Sequence, residues 1–384
     1  MLGKMMFKNG WRHPLRTVLT IIGVGIAISA YIFLKTVITG WYAGVEASSA
    51  NRVVTRNKIS LTFSLPLAYE QKIKTVPNVT EVTYGNWFGG TYIDEKNFFA
   101  QFAVDPDTYF DVYPEYLLEP GVLDTLKAER NACVVGRKLA ERFKWEVGQE
   151  IRLIGTIFPG DWDFVIRGIY DGARPNTDTS TMFFNWKMFD EKIAETAPSR
   201  AGNVGFYIMS LADANSASQT CEAVDALFDN SSAETLTETE SAFQLGFVSM
   251  SGSIIQALQV ISFVIIAIVL LVLVNTMNMS ARERMSEYGV LKTLGFQKSY
   301  IFRLILGESF VISVLGGLIG YLIGLGLITV MGKALGSFFP VFAIEPTTLI
   351  FAGITTLAVG IVAALPPTVS AIRTPIVDAL REIG

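Results

Sequence analysis

Four long apolar stretches constrain this chain of 384 residues more than any other feature. A helix needs about 20 apolar residues to cross the hydrocarbon core of a bilayer. Four stretches reach that length, one near the start and three near the end: 17–39, 253–280, 301–331 and 347–369. The large polar region between the first two is then displayed on one side of the membrane. The sequence therefore predicts an α-helical membrane protein with four transmembrane helices and a large domain between helices 1 and 2.

The charges predict the orientation, because loops rich in Lys and Arg stay in the cytoplasm. Basic residues precede the first stretch, fill the loop between the second and third, and follow the fourth: Lys4, Lys8, Arg12, Arg16, Arg282, Arg284, Lys292, Lys298, Arg373 and Arg381. Both termini and the 282–298 loop are therefore expected in the cytoplasm. The region 40–252 holds 29 Asp and Glu against 18 Lys and Arg, and we expect it outside. The first stretch is longer than the apolar run of a signal peptide, which favours an uncleaved helix.

The displayed region alternates strand-like and helix-like segments, which predicts an α+β extracytoplasmic domain. The expected strands are 79–82, 91–93, 98–104, 132–135, 150–154, 164–169 and 204–210, and the expected helices are 68–76, 137–143 and 215–228. The stretches 155–159 and 172–181 are rich in turn residues. We expect two subdomains, the second spanning about 105–200.

Few residues here suit catalysis or metal binding. His13 is the single histidine, which excludes a histidine metal cluster or a Ser-His-Asp triad in the displayed domain. Asp161 and Asp163 are paired acids, but acids flanking a Trp are more typical of an exposed strand edge than of acid–base catalysis. Cys133 and Cys221 are expected as buried free thiols, with one disulfide as the alternative. We predict no catalytic residue, no metal site and no bound cofactor in this chain.

A helical stripe leads into the second apolar stretch, formed by Leu236, Phe243, Phe247, Met250 and Ile254. A similar stripe continues the first apolar stretch outward beyond residue 39. We predict two helices that form a stalk under the displayed domain. The alternative is a pair of ordinary interface anchors.

The third stretch carries a repeated small-residue pattern and one acid. Glycines at 316, 320 and 324, with Gly317 beside them, predict a face on which helix backbones approach closely. Glu308 is costly in a membrane and is expected to face protein. It is predicted to accept hydrogen bonds from a neighbouring Ser or Thr or to pair with Arg303, a structural role that is favoured over a proton relay.

The loop after the second stretch has a distinctive sequence and an amphipathic pattern. It reads NTMNMSARERMSEYGVLKTLGF over 275–296. A short helix there with Arg282, Arg284 and Lys292 outward, and with Met285, Val290 and Leu294 forming an apolar face, is typical of a docking surface. Gly295 is expected to end that helix.

These motifs closely resemble those of MacB/FtsX-type ABC transporter permeases. The matching positions are Ser280, Glu283-Arg284, Glu287-x-Gly289, Lys292, Thr293-Leu294-Gly295, Glu308, Gly316-Gly317, and Pro367, Ala371, Pro375 and Ala379-Leu380-Arg381 in the tail. The start, His13-Pro14-Leu15-Arg16-Thr17, is similar to the family's Asn-Pro-Leu-Arg-Thr, with His13 in place of the usual Asn. The resemblance covers roughly the first 40 and last 130 residues, and more weakly 134–149.

The resemblance implies a bacterial inner-membrane permease that works by mechanotransmission. The chain has no Gly-x-x-x-x-Gly-Lys-Ser/Thr phosphate-binding loop. The resemblance therefore implies a separate cytoplasmic ATPase that binds ATP and Mg²⁺. Each complex would contain two ATPases and a homodimer of the permease. The residues implied in ATPase coupling are Arg282, Glu283, Arg284, Glu287, Gly289, Lys292, Leu294 and Gly295. No nucleic-acid partner is expected, and the membrane lipid surrounds the helices.

The predicted organisation follows from these points. It has a cytoplasmic segment 1–16, helix 1 with its stalk 17–45, the α+β domain 46–233, stalk and helix 2 234–280, the coupling segment 281–298, helix 3 299–331, an outer loop 332–346, helix 4 347–370 and a cytoplasmic tail 371–384. The function expected first is efflux with a periplasmic adaptor and an outer-membrane channel. Lipoprotein release and signalling to cell-wall hydrolases are the alternatives, and a membrane-bound enzyme is disfavoured.

Overall fold

The computed structural model describes residues 13–335, 339 and 342–381. The helices in chain order are α1 (Pro14–Ala47), α2 (Tyr69–Ile73), α3 (Tyr109–Val112), α4 (Val122–Ala128), α5 (Arg137–Phe143), α6 (Trp186–Thr196), α7 (Ala217–Ala226), α8 (Glu240–Met250), α9 (Gly252–Glu283), α10 (Met285–Thr293), α11 (Lys298–Leu335), α12 (Pro346–Arg373) and α13 (Ile376–Arg381). The strands are β1 (Arg52–Asn57), β2 (Leu65–Pro66), β3 (Val79–Trp87), β4 (Gly90–Thr91), β5 (Ala100–Val104), β6 (Tyr116–Leu117), β7 (Ala132–Gly136), β8 (Glu150–Gly155), β9 (Gly160–Gly172), β10 (Thr181–Asn185), β11 (Asn203–Val204), β12 (Phe206–Leu211) and β13 (Thr235–Thr239).

The chain forms two compact units. Of the described residues, the helical unit contains 13–40, Ser251–Ala334 and 342–381. The α+β domain contains Trp41–Met250 together with Leu335 and Phe339.

The helical unit holds long apolar helices whose length and composition suit membrane spans, as expected. Four candidate spans occur in the described part of the chain: Pro14–Ala47, Gly252–Glu283, Lys298–Gly332 and Pro346–Arg373. Each contains one of the four apolar stretches. Their shared core includes Val24 and Ile28 of α1, Leu273 of α9, Ile305 of α11 and Ala363 of α12. This fold confirms the predicted four-helix organisation.

The α+β domain is built on one mixed sheet of 11 strands. The strand order is β13-β1-β12-β3-β5-β10-β7-β9-β8-β4, and β6 pairs with β9. The β5–β10 and β7–β9 pairs are parallel, and the other pairs in this sheet are antiparallel. Strands β2 and β11 form a separate two-stranded sheet.

The central strands are buried on both faces, so their side chains alternate between two cores. Cys133 and Val135 of β7 lie in the core on one face, and Ala132 and Val134 lie in the core on the other. Side chains alternate because successive residues of a strand point to opposite faces. A strand covered on both faces has a continuous apolar sequence, as the run from 132 to 135 predicts.

Two expectations for this domain are wrong in part. The segment 105–200 does not separate as a second subdomain, because β10 pairs along its whole length with β5, from Thr181 opposite Ala100 to Asn185 opposite Val104. The strand expected at 91–93 ends at Thr91, and Ile93 has a left-handed backbone conformation, with φ of 66°. The sequence also does not predict strand β10, which begins at the last residue of the turn-rich stretch 172–181, or helix α6, which follows β10.

Candidate coupling segment

The segment 282–295 contains a one-residue break at Arg284, which we call the corner, followed by a short helix. Helix α9 ends at Glu283, and α10 begins at Met285. Gly295 ends α10 in the left-handed conformation, with φ of 86°. Its N–H donates to the carbonyl of Lys292 at 3.1 Å, and the N–H of Phe296 donates to that of Leu291 at 3.0 Å. These two bonds form a Schellman motif, which explains why Gly is needed at 295.

A buried ion pair fastens this corner to the third span. Arg284 Nη1 lies 2.8 Å from Glu308 Oε2, and Nη2 lies 3.2 Å from Oε1. The hydroxyl of Ser280 donates to Glu308 Oε1 at 3.0 Å. The two charged side chains are only 5% and 6% exposed. The expected serine donor is therefore present, but the cation that pairs with Glu308 is Arg284 and not Arg303.

A second ion pair fastens the corner to the first span. Arg16 of α1 donates to both carboxylate oxygens of Glu283, at 2.9 and 2.7 Å, and His13 Nε2 lies 3.4 Å from the same group. Both partners of the Arg16–Glu283 pair are partly exposed, so the contact is weaker than a buried pair. It nevertheless fixes geometry, because a two-pronged Arg–carboxylate contact is directional.

Lys292 connects the segment to the end of the fourth span. Its Nζ donates to the carbonyls of Ala371, Ile372 and Thr374 at 2.8, 3.3 and 2.7 Å. These carbonyls lie at the C-terminal end of α12, where a cation is favoured by the helix dipole. Burial, helped by the charge of Lys298, lowers the pKa of Lys292 below its ordinary value. The segment thus contacts all three of the other candidate spans.

The outward-facing residues differ from those expected. Arg284 is buried and Lys292 is half-buried, whereas Arg282 is exposed as predicted. Of the expected apolar face only Met285 is buried. The exposed apolar side chains are Val290, Leu294 and Phe296, and Leu294 is 70% exposed. We call these three residues the apolar patch. The prediction for Arg284 is wrong because a single acid in the adjacent span needs a cation for a partner. Of the remaining candidates, Glu287 is exposed and Gly289 is buried.

Three of the four predicted packing glycines of α11, Gly316, Gly317 and Gly320, lie where neighbouring helices approach closely. A Cβ added at Gly316 would stand 2.6 Å from Val24, and one at Gly320 would stand 2.6 Å from the carbonyl oxygen of Gly25, both in α1. At Gly324 the nearest atom, in Ile32 of α1, is 3.5 Å away. Gly317 faces the other way, and its added Cβ would stand 2.6 Å from Thr356 of α12.

The predicted stalk residues fall into three elements. Phe243, Phe247 and Met250 lie in α8, and Ile254 lies in α9 after a break at Ser251. The prediction for Leu236 is wrong. It lies in strand β13 opposite Arg56 of β1, because the alternating sequence Thr-Leu-Thr-Glu-Thr completes the edge of the sheet.

The α+β domain contains a cavity of about 1440 Å³. Aromatic residues of neighbouring strands form part of its wall: Trp87, Phe102, Phe183 and Phe206. The ring centroids of Trp87 and Phe102 are 5.1 Å apart. Asp161 and Asp163 lie elsewhere, on β9, and both contact the exposed Arg152 of β8, which confirms the exposed-strand interpretation. Cys133 and Cys221 are buried free thiols.

Comparisons with known proteins agree with this architecture. The model of the MacB-like periplasmic core domain matches residues 17–227, and that of the FtsX-like permease C-terminal domain matches 259–376. An ABC transporter permease of Methanocaldococcus jannaschii is 25% identical over 346 residues, covering 85% of this chain and 83% of that protein. The permease YvrN of Bacillus subtilis is 23% identical and covers 98% of each chain.

Two further comparisons cover parts of the chain. The macrolide export ATP-binding/permease protein MacB of Bdellovibrio bacteriovorus is 34% identical over 115 residues, which is 28% of this chain and 16% of that protein. The periplasmic region of MacB from Actinobacillus actinomycetemcomitans aligns with 53% of this chain and 95% of its own, at 11% identity and a TM-score of 0.37. The two domain matches together confirm the resemblance, and the chain belongs to the MacB/FtsX-type ABC transporter permeases, with a MacB-like periplasmic core domain between its first and second candidate spans.

Proposed function

We propose that this permease converts ATP binding and hydrolysis by a separate cytoplasmic ATPase into movement of its α+β domain, and so drives export. Two permeases and two ATPases form the working complex. The termini and the coupling segment face the cytoplasm, and the α+β domain faces the opposite side. The chain itself is non-catalytic, and ATP and Mg²⁺ are bound by the ATPase.

The observation that carries the proposal is the apolar patch of Val290, Leu294 and Phe296. It lies between two candidate spans along the chain, and the exposed Lys298 follows Phe296 by two residues. Exposed apolar residues rimmed by polar ones are typical of a protein interaction site. The patch therefore supports docking of an ATPase at this segment.

The internal contacts of the segment support the relay of a displacement. The corner is bonded to α1 through Arg16, to α11 through Glu308, and to the end of α12 through Lys292. Because the segment also continues directly from α9, a force on the apolar patch would act on all four candidate spans. The permease would bind the ATPase with different affinity in each nucleotide state of the ATPase. These differences in affinity would supply the coupling energy.

The cavity of the α+β domain favours export over signalling to a cell-wall hydrolase. A signalling head needs only a docking surface, whereas a volume of about 1440 Å³ suits a bulky cargo. The close helix contacts at Gly316, Gly317 and Gly320 disfavour a channel through the spans. Cargo is therefore handled at the α+β domain, with an adaptor and an outer-membrane channel completing the path. Co-purification of an adaptor supports export, and recovery of a lipoprotein-sorting partner or a hydrolase instead would redirect the assignment.

A charge placed in the patch tests the docking. Leu294→Asp is expected to lower the amount of ATPase that co-purifies with the permease at least tenfold, because a carboxylate replaces the most exposed apolar side chain of the patch. Gln297→Glu is the matched control, since it adds the same charge three residues away at an exposed polar position. Its expected effect is less than twofold.

The thermal stability of both variants should match that of the natural chain. Glu283→Gln should likewise leave the fold intact, since its pair with Arg16 is partly exposed, but should reduce the stimulation of the ATPase. Undiminished ATPase binding and stimulation by Leu294→Asp would show that this segment is not the docking site.

A further inference from the structure

Two junctions of the α+β domain carry buried charges. One junction follows α1, which ends at Ala47, and leads into β1 at Arg52. The other is the point where β13 gives way to α8 at Glu240. Arg52 and Glu240 are each only 5% exposed. Through α1 and α8 these junctions are the connections, along the sequence, to the first and second candidate spans.

The two residues are joined by a compact hydrogen-bond network. Arg52 Nε donates to Glu240 Oε2 at 2.8 Å, and its two terminal nitrogens donate to both carboxylate oxygens of Glu115 at 2.9 and 2.6 Å. Nη1 also donates to the carbonyl of Val112 at 3.1 Å. The guanidinium stands 4.1 Å from the ring centre of Tyr113. Each nitrogen of Arg52 therefore has an acceptor.

The carboxylate of Glu240 accepts hydrogen bonds from several parts of the domain. Its Oε1 accepts from the hydroxyl of Tyr113 at 3.0 Å, and its Oε2 accepts from the backbone N–H of Ser49 at 2.7 Å as well as from Arg52. Burial, reinforced by the charge of Glu240, raises the pKa of Tyr113 well above its ordinary value, so the phenol remains a donor. Glu240, the first residue of α8, is thus hydrogen-bonded to the backbone of Ser49, which follows α1.

We propose that Arg52, Tyr113, Glu115 and Glu240 form a clasp that makes the end of α1 and the start of α8 move as one body with the sheet. Arg52 and Glu240 are positioning residues in this scheme, which rests on the proposed function. The clasp adds to the pairing of β1 with β13, because strand pairing fixes the strands but leaves the directions of the adjoining helices free. Close to the clasp along both helices, a Cβ added at Gly44 of α1 would stand 3.1 Å from the side-chain oxygen of Gln244 of α8.

The chain offers a matched control for this role. Arg56 of β1 and Glu238 of β13 form a second Arg–Glu pair nearby along both segments, at 3.2 Å and partly exposed. Glu238→Gln removes a charge from that pair without touching either junction. Glu240→Gln removes the same charge from the clasp and keeps the shape of the side chain.

The direct test measures the distance between spin labels at Val45→Cys in α1 and Leu245→Cys in α8, in the full permease with its ATPase. The native Cys133 and Cys221 are buried and should stay unlabelled. Glu240→Gln is expected at least to double the width of the distance distribution, whereas Glu238→Gln leaves it unchanged. Tyr113→Phe, which removes only one hydroxyl, should broaden it less, and it provides the test if Glu240→Gln fails to fold. An unchanged distribution in Glu240→Gln, or in Tyr113→Phe in that case, would overturn the clasp.

A second readout separates failure of the clasp from failure of the proposed function. A fluorophore at Ile59→Cys, an exposed position of the α+β domain, reports whether ATP binding changes the environment of that domain. The permease with an intact clasp should respond to ATP, and Glu240→Gln should lose at least half of the response while ATP hydrolysis continues. No response with an intact clasp would overturn the proposed function, and the distance measurement would still decide whether the clasp orders the two helices.

Discussion

Removing the buried acid of the third span should destabilise the helical unit far more than removing an exposed one. Glu308→Leu leaves the guanidinium of Arg284 buried without its carboxylate. Breaking a buried ion pair from one side costs about 3–5 kcal/mol, because the remaining charge is left uncompensated. The lost bond from Ser280 adds about 1 kcal/mol. The total expected loss in the free energy of unfolding is about 4–6 kcal/mol.

A double-mutant cycle turns this estimate into a test of the pairing itself. Arg284→Met alone should also cost about 3–5 kcal/mol, because it leaves the carboxyl group of Glu308 buried without its cation. The double variant replaces both charges with apolar side chains of similar size, which is often close to neutral. The sum of the two single-variant costs should therefore exceed the cost of the double variant by about 3 kcal/mol or more. This difference is the interaction energy of the pair.

The assay is equilibrium unfolding of the purified permease in mixed micelles, followed by circular dichroism. Glu283→Gln serves as the comparison, since its pair with Arg16 is partly exposed and should contribute about 0.2–1 kcal/mol. Additive single costs, within about 0.5 kcal/mol of the double variant, would mean that Arg284 and Glu308 do not interact. That result would refute the reasoning about the corner of the coupling segment.

Two further predictions concern packing and the thiols. Gly320→Ala should destabilise the chain by about 1–3 kcal/mol, because its Cβ meets the carbonyl oxygen of Gly25, whereas Gly326→Ala in the same helix has open space and should be neutral or slightly stabilising. Equal melting temperatures of the two variants would argue against the close contact. Burial, with the charge of Asp225 nearby, raises the pKa of Cys221 to about 11. This raised pKa stabilises the fold below the unfolded value of about 8.5 and loses its effect as the pH rises towards 11. Maleimide labelling of the native chain at pH 8 should be at least about 100-fold slower than that of the unfolded chain, and equal rates would contradict the burial.

The family and the span number follow from the sequence because both depend on local patterns. About 20 apolar residues suffice to specify a span, whatever the remainder of the chain does. The motif from Ser280 to Gly295 is likewise contiguous, and the helix stop at Gly295 follows from the conformational freedom of Gly. Strands β3, β5, β7, β8, β9 and β12 could be predicted for the same reason, because alternating or continuous apolar runs are local patterns, whereas β1, β10 and β13 could not.

The partners of the candidate site depended on the tertiary structure. The sequence indicates that Glu308 needs a partner and offers Arg303 as the cation nearest in sequence, but the tertiary structure selects Arg284, 24 positions away. The small-residue face of α11 was predictable, but its contact with α1 was not. Leu236 fits a helical stripe and a strand equally well, and the pairing of β13 with β1 decides between them.

The sequence by itself determined that this chain carries four candidate membrane spans, an α+β domain between the first two, and the motifs of its family. The tertiary structure alone decided which distant residues meet. Arg52 and Glu240 are 188 positions apart, and the parallel pairing of β5 with β10 places Thr181 opposite Ala100. The physical reason is that hydropathy and side-chain periodicity act along the chain, whereas buried charges and sheet pairing depend on the path that the whole chain follows.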